Sequence, residues 1–297
     1  MAKNRSDARN RIETGLVRLL LAAAGRGTAE GAEAAGRRLG RLYRRLDGRR
    51  RRLVARNLER AFPGKTPGEI EALSRAVFEH FGGVAADVLR SVREPSGSLL
   101  SRIELSGVEG ARAAAASGRG VVYLAAHLGN WEFSALAAAA AGLPAAVVAR
   151  PLDNPLLEGL LRRYRERTGN TVVYKRDAAR EILRHLRRGD GVGILVDQHA
   201  RPPDAVVVPF FGRPASTSSA LARIVDRTEA LVVPSVCFRT GPARYRLEYG
   251  TPLDVRTLSA GEREAESLTA RLNLEVETLV RRHPEQWLWL HNRWRLD

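Results

Sequence analysis

One cysteine, Cys237, stands in 297 residues. A single thiol builds neither a disulfide framework nor a cysteine-rich metal site, and its scarcity fits a reducing compartment. Long apolar runs are missing as well. The stretch "RIETGLVRLLLAAAGRG" (11–27) holds six uninterrupted apolar residues, Leu19 to Ala24. A membrane-spanning helix needs about 20. The longest uncharged run, Phe133 to Ala149, is broken by Gly142 and Pro144 and reads as a helix, a turn and a strand. No secretory signal stands at the N-terminus, and no internal repeat is present. Zinc-finger spacing, an aromatic RNA-binding motif and a clear helix-turn-helix are all missing, which leaves nucleic acid without a recognition element.

Acidic balance is lacking too. The formal charge is +16, most of the basic residues being arginine. Such an excess predicts attraction to anionic partners without specifying a fold: nucleic acid, lipid head groups or an acidic carrier protein. Hydrophobic residues make up 44% of the chain, enough for a substantial core.

Residues 1–95 read as helical and basic, and 100–297 as α/β, together one domain. Leu16, Leu19, Leu20 and Ala23 fall at helical spacing beside Arg11, Arg18 and Arg26. This pattern fits either an interfacial amphipathic helix or a packing helix with solvated arginines. The run Arg49 to Arg52 leads into a helix ending near Pro63-Gly64, and Thr66, Pro67 and Glu69 open another. Beyond residue 100, short apolar runs at 120–126, 145–149, 171–174, 192–196, 206–210 and 231–238 alternate with helical stretches at 131–141, 154–168, 177–188, 216–228 and 260–282. That alternation predicts an α/β fold with a mainly parallel central sheet flanked by helices. "FFG" (210–212), Pro214 and the Ser/Thr run 216–219 read as a loop leading into a capped helix, which either lines the site or packs.

In open α/β sheets, ligands sit beyond the carboxyl ends of the strands. His127, in "AAHLGNWEF", directly follows the strand 120–126, and Asp197 directly follows 192–196. A histidine can take a proton near neutral pH, provided a carboxylate orients its other ring nitrogen. In a continuous helix, residues five apart diverge by about 140°. His127 in a turn, Asn130 as cap and Glu132 in the first helical turn would let His127 and Glu132 meet. Spacing alone leaves open whether His127 is catalytic or a structural histidine closing a strand. His80, His185 and His283 fall in helices, and the spacing of His199 from Asp197 forms no metal signature.

"HLGNWE" resembles the H-x4-D/E motif of glycerolipid acyltransferases. Together with "RRRRLVARNLERAFPG" (49–64), the blocks 172–200 and 206–239, and "WLWLHNRWR" (287–295), the chain resembles the bacterial lipid A biosynthesis acyltransferase family. The resemblance implies a glycerolipid-acyltransferase-like fold and transfer of a fatty acyl group from a thioester to a hydroxyl of an anionic membrane glycolipid, a lipid A precursor. His127 would be the general base and Glu132 would orient it. Arg176 and Asp197 would bind substrate, Arg176 through a phosphate or developing negative charge. The implied co-substrate is an acyl carrier protein or CoA thioester, with no metal or other cofactor. The implied location is the cytoplasmic face of the inner membrane, peripheral or monotopic. The same family includes phosphatidylinositol mannoside acyltransferases, which use acyl-CoA. Two features differ from the lipid A branch: the N-terminal apolar segment is weak, and "DQHA" (197–200) lacks a second acidic residue. A basic protein that binds membrane or nucleic acid is the non-enzymatic alternative, supported by charge alone.

Overall fold

The computed structural model describes residues 6–24, 27–174 and 178–295. Four helices come first: α1 (Asp7–Ala24), α2 (Ala29–Leu46), α3 (Gly48–Ala61) and α4 (Pro67–Ser91). Their boundaries follow local chemistry. Thr66 and Glu69 form a reciprocal capping box before Pro67, and Asp47 caps α3 by accepting from Arg50 N. Helix α2 crosses α4 at Gly36, Gly40 and Gly82, where a Cβ on any of the three would overlap the backbone of the opposing helix. This close approach places Arg37 2.5 Å from Glu79, and Arg44 also pairs with Glu71.

The α/β part then runs β1 (Ile103–Ser106), α5 (Val108–Ala116), β2 (Val121–Ala125), α6 (Trp131–Ala140), β3 (Ala145–Ala149), α7 (Pro155–Glu166), β4 (Thr171–Tyr174), α8 (Ala178–Arg187) and β5 (Gly191–Leu195). It continues through β6 (Ala205–Phe210), β7 (Arg213–Ser218), α9 (Ala220–Thr228), β8 (Leu231–Gly241), β9 (Arg244–Tyr249), β10 (Leu253–Asp254), α10 (Ala260–Arg263) and α11 (Ala265–Arg282). The main sheet has the order β1-β9-β8-β2-β5-β3-β4, with β10 on β8. Strands β8, β2, β5, β3 and β4 are parallel, while β9 runs antiparallel to β8. The fold is therefore α/β with a mostly parallel central sheet flanked by helices and preceded by a helical region.

Each face of the sheet has its own core. Val122, Val192 and Val232 pack with Ile182 of α8, Val225 of α9 and Leu272 of α11, and this cluster extends to Leu58 of α3 and Phe78 of α4. Val121, Tyr123 and Val233 pack with Phe133 and Leu136 of α6 and Tyr164 of α7. The first helices thus share the core of the sheet.

Three expectations need correction. The run 206–210 is not a central strand; it pairs with 213–218 in a separate antiparallel hairpin. Pro209 lacks an amide donor, which disfavours a central position, and Val207 is exposed. The helix expected at 216–228 starts at Ala220, because Ser216–Ser218 complete β7. The helix expected at 260–282 is interrupted at Glu264, whose backbone is extended (ψ 141°). Strands β1 and β9 lie outside the expected set. β9, "RYRLEY", alternates arginines and a glutamate with Tyr245, Leu247 and Tyr249, so it carries no apolar run.

Candidate active site

Strands β2 and β5 are parallel neighbours with Ala125 opposite Leu195, and Val196 N donates to Ala125 O at 3.1 Å. His127 and Asp197 each lie two residues beyond that pair, so the two chains leave the sheet side by side. The result is a direct contact: His127 Nδ1 lies 2.8 Å from Asp197 Oδ1, and His127 backbone N donates to Asp197 Oδ2 at 2.9 Å. With Nδ1–H donating to the carboxylate, Nε2 keeps its lone pair. It faces the Gln198 side-chain amide at 3.3 Å.

A third donor reaches Asp197 from the C-terminal block. Trp287 Nε1 donates to Oδ2 at 2.7 Å. Trp287 is held there because Gln286 O accepts from Gly129 N (3.0 Å) and Leu288 N donates to His127 O (3.0 Å), forming a short antiparallel bridge. Beneath it lies an aromatic cluster of Phe210, Phe211, Trp287, Trp289 and Trp294. "FFG" therefore packs: Phe210 and Phe211 are both buried.

Electrostatics follow from this burial and pairing. Asp197 is 2% exposed. Burial works to raise its pKa, but the imidazole charge and the bonds from His127 and Trp287 hold the carboxyl below its ordinary value. Burial likewise pushes His127 down, yet the Asp197 charge, its hydrogen bond and the more distant Glu132 outweigh that and leave His127 above the usual histidine value. His291, whose Nε2 accepts from His199 N at 2.9 Å, is pushed down to about 4 by burial and stays neutral at pH 7.

Glu132 sits in the first turn of α6, where Asn130 Oδ1 caps the helix by accepting from Phe133 N at 3.1 Å. Its carboxylate is taken by Arg165 of α7 in a bidentate pair, Nη2–Oε1 2.6 Å and Nε–Oε2 2.9 Å. The carboxylate bonded to His127 Nδ1 is thus Asp197, and Glu132 acts on the imidazole through its field. Arg176 lies outside the described residues. Three residues of this site were not singled out from the sequence: Trp287, Arg165 and Gln198. Only Gln198 carried a local signal, adjoining Asp197; the other two arrive from distant segments.

The turn between His127 and α6 has little freedom. Gly129 has φ +63°, and a Cβ there would overlap the Cys237 carbonyl. Asn130 N donates to that carbonyl at 2.9 Å. The arrangement of a lone-pair nitrogen, an oriented imidazole and a buried carboxylate equips the site to remove a proton from a hydroxyl.

The family model described as bacterial lipid A biosynthesis acyltransferase matches residues 19–296. The chain is similar to the lipid A biosynthesis lauroyltransferase of Escherichia coli (strain K12), 29% identical over 266 residues, covering 86% of this chain and 83% of the relative. It is also similar to the lipid A biosynthesis myristoyltransferase of the same organism, 26% identical over 255 residues, 85% of this chain and 77% of the relative. A lipid A biosynthesis acyltransferase of Haemophilus influenzae is 25% identical over 239 residues, 79% of this chain and 72% of the relative.

Proposed function

Because the chain belongs to the bacterial lipid A biosynthesis acyltransferase family, we propose that it moves a fatty acyl group from a thioester donor, acyl carrier protein or CoA, to a hydroxyl of a lipid A precursor. That it is an acyltransferase follows from the family; donor and acceptor are the proposal. The observation that carries the mechanism is the His127–Asp197 contact at the carboxyl edge of the sheet.

His127 Nε2 accepts the hydroxyl proton as the acceptor oxygen attacks the thioester carbonyl. The tetrahedral oxyanion collapses, the C–S bond breaks, and the proton returns from the imidazolium to the leaving thiolate. Asp197, bonded to Nδ1–H, stabilises the imidazolium between these events. The Trp131 ring lies 5.1 Å from that of His127, and the adjacent Glu132 is paired with Arg165. Arg176 is proposed to bind anionic substrate, in keeping with the family resemblance. The names of the relatives favour a lipid A acceptor over a phosphatidylinositol mannoside. Purified enzyme incubated with acyl carrier protein or CoA thioester and a lipid A precursor should yield a product heavier by one acyl chain in mass spectrometry. Thioester use with phosphatidylinositol mannoside alone would reject the acceptor.

No helix among the described residues is long and apolar enough to cross a membrane. Support for peripheral association comes from α1. Asn10, Thr14 and Leu21 form its inner side and are buried, with Asn154 Nδ2 donating to Asn10 O at 3.0 Å, while Arg9, Arg11 and Arg18 are exposed. Ile12, Leu16, Leu19 and Leu20 face outward and are more than half exposed, and Leu39, Leu42 and Leu46 of α2 are exposed beside Arg38 and Arg45. Leucines on a basic surface suit the interface of an anionic bilayer, proposed here as the cytoplasmic face of the inner membrane. Wild type should float with anionic liposomes far more than with neutral ones, and Leu16→Ser/Leu19→Ser should lose most of that binding while melting normally. Equal flotation of both proteins would reject the α1 surface.

A further inference from the structure

Behind the turn 127–130 lies a buried polar chain that the reaction itself does not use. Arg239 of β8 is its hub. Its Nε donates to Asp87 Oδ2 of α4 at 2.9 Å, and its guanidinium pairs with Glu33 of α2 at 2.9 Å. The same Asp87 oxygen accepts from Tyr245 OH of β9 at 2.7 Å, and Asn130 Nδ2 donates to Tyr245 OH at 3.0 Å. The Arg239 backbone forms a second arm. Its N donates to Gln286 Oε1 (2.9 Å), its O accepts from Gln286 Nε2 (3.0 Å), and Gln286 O accepts from Gly129 N. The two arms end on adjacent residues, 129 and 130.

Burial makes this arrangement costly. Asp87 and Asn130 are each 1% exposed, and Glu33 is 8% exposed. Apolar replacements of buried ion pairs are often neutral or stabilising, so stability gives little reason for the chain; conformational specificity is the alternative reason. The direction of the hydrogen bonds supplies that specificity. A tyrosine hydroxyl has one proton. Tyr245 gives it to the Asp87 carboxylate, so it can only accept from Asn130. The Asn130 amide is thereby oriented with NH2 toward Tyr245 and oxygen toward Phe133 N, the cap of α6. The same residue's backbone is tied to Cys237 O, three positions after His127.

We propose that Tyr245 and Asp87, held by Arg239, are positioning residues that set the turn 127–130 and so the alignment of His127 on Asp197. The inference rests on the reading of His127 as the base. Its test pairs Tyr245→Phe, which removes one hydroxyl, with Asn130→Ser, which keeps an N-cap but cannot reach Tyr245. Misplacement of a reacting group by about 1 Å costs up to about 100-fold. Each variant should lower kcat about 10- to 100-fold with KM for both substrates unchanged, and the double variant should be no worse than either single one. The acid limb of the kcat profile should also move to lower pH as His127 loosens from Asp197. A purely structural role would reduce the active fraction without moving that limb. Wild-type kcat in both variants, an unmoved limb, or additive losses would overturn the proposal. Should Tyr245→Phe fail to fold, Asn130→Ser alone carries the kcat and pH tests. An active His127→Ala enzyme would instead reject the underlying reading.

Discussion

His127→Ala should nearly abolish acyl transfer while leaving the fold intact. An acceptor hydroxyl is a poor nucleophile at neutral pH, and the structure offers Nε2 of His127 as the lone pair that removes its proton. Loss of a positioned general base costs on the order of 10²–10⁴ in rate. The side chain of His127 is 17% exposed, stands at the carboxyl edge of the sheet and bonds to Asp197 and Gln198, so truncation removes no member of either apolar core. Among the described residues, it leaves the buried Asp197 with the backbone amide of position 127 and Trp287 as donors. A modest fall in melting temperature is therefore expected, with a normal circular dichroism spectrum. Melting and turnover measured on one preparation separate the alternatives: a folded variant that retains substantial kcat would end the catalytic reading.

Asp197→Asn should be the second most damaging change, well beyond Glu132→Gln. An amide at 197 cannot stabilise an imidazolium as a carboxylate does, and it can present NH2 to Nδ1 and favour the wrong tautomer. The expected loss in kcat is on the order of 10²–10⁴. Glu132→Gln breaks the bidentate pair with Arg165 and removes a field from the imidazole, but leaves the Nδ1 bond in place; about 10-fold is expected. The pH dependence has a definite sign. Activity requires neutral His127, and its pKa is held above the ordinary 6.5, chiefly by Asp197 acting against burial. The acid limb of the wild-type profile should therefore lie above pH 6.5. In Asp197→Asn, burial remains and the carboxylate is gone, so the limb should fall to lower pH. A limb unchanged in Asp197→Asn but lowered in Glu132→Gln would transfer the orienting role to Glu132.

The elements that were legible in the sequence are those whose signal is local. The strands at β2 to β5 lie within a residue of the apolar runs that mark them, because a short continuous apolar run needs no partner identity to be recognised. The Thr66–Glu69 box and the Asn130 cap close helix ends with atoms three residues apart. His127 and Asp197 stood out for the same reason, each directly following an apolar run.

Which groups meet was decided elsewhere. An H-x4-E spacing invites the pairing of His127 with Glu132, since both fall in one short segment. The structure gives Glu132 to an arginine 33 positions away and gives His127 a carboxylate 70 positions away. That outcome depends on strand order: β5 lies next to β2 although β3 and β4 intervene in the chain. No periodicity encodes that adjacency. It follows from how the βαβ crossovers pack to bury both faces of the sheet. Trp287 reaches Asp197 because the aromatic C-terminal block has no core of its own and buries itself under the 127–130 turn. Strand β9 escaped notice since its charges alternate with its apolar residues, and its tyrosine acquires a role only when β8 places Arg239 and α4 places Asp87 within hydrogen-bond range. The sequence by itself determined the elements that carry a local signal, several of their caps and the two strand-end positions where chemistry sits, through contacts a few residues long. The tertiary structure alone decided the partners, because hydrogen bonds and ion pairs form across space at about 3 Å whatever the separation along the chain.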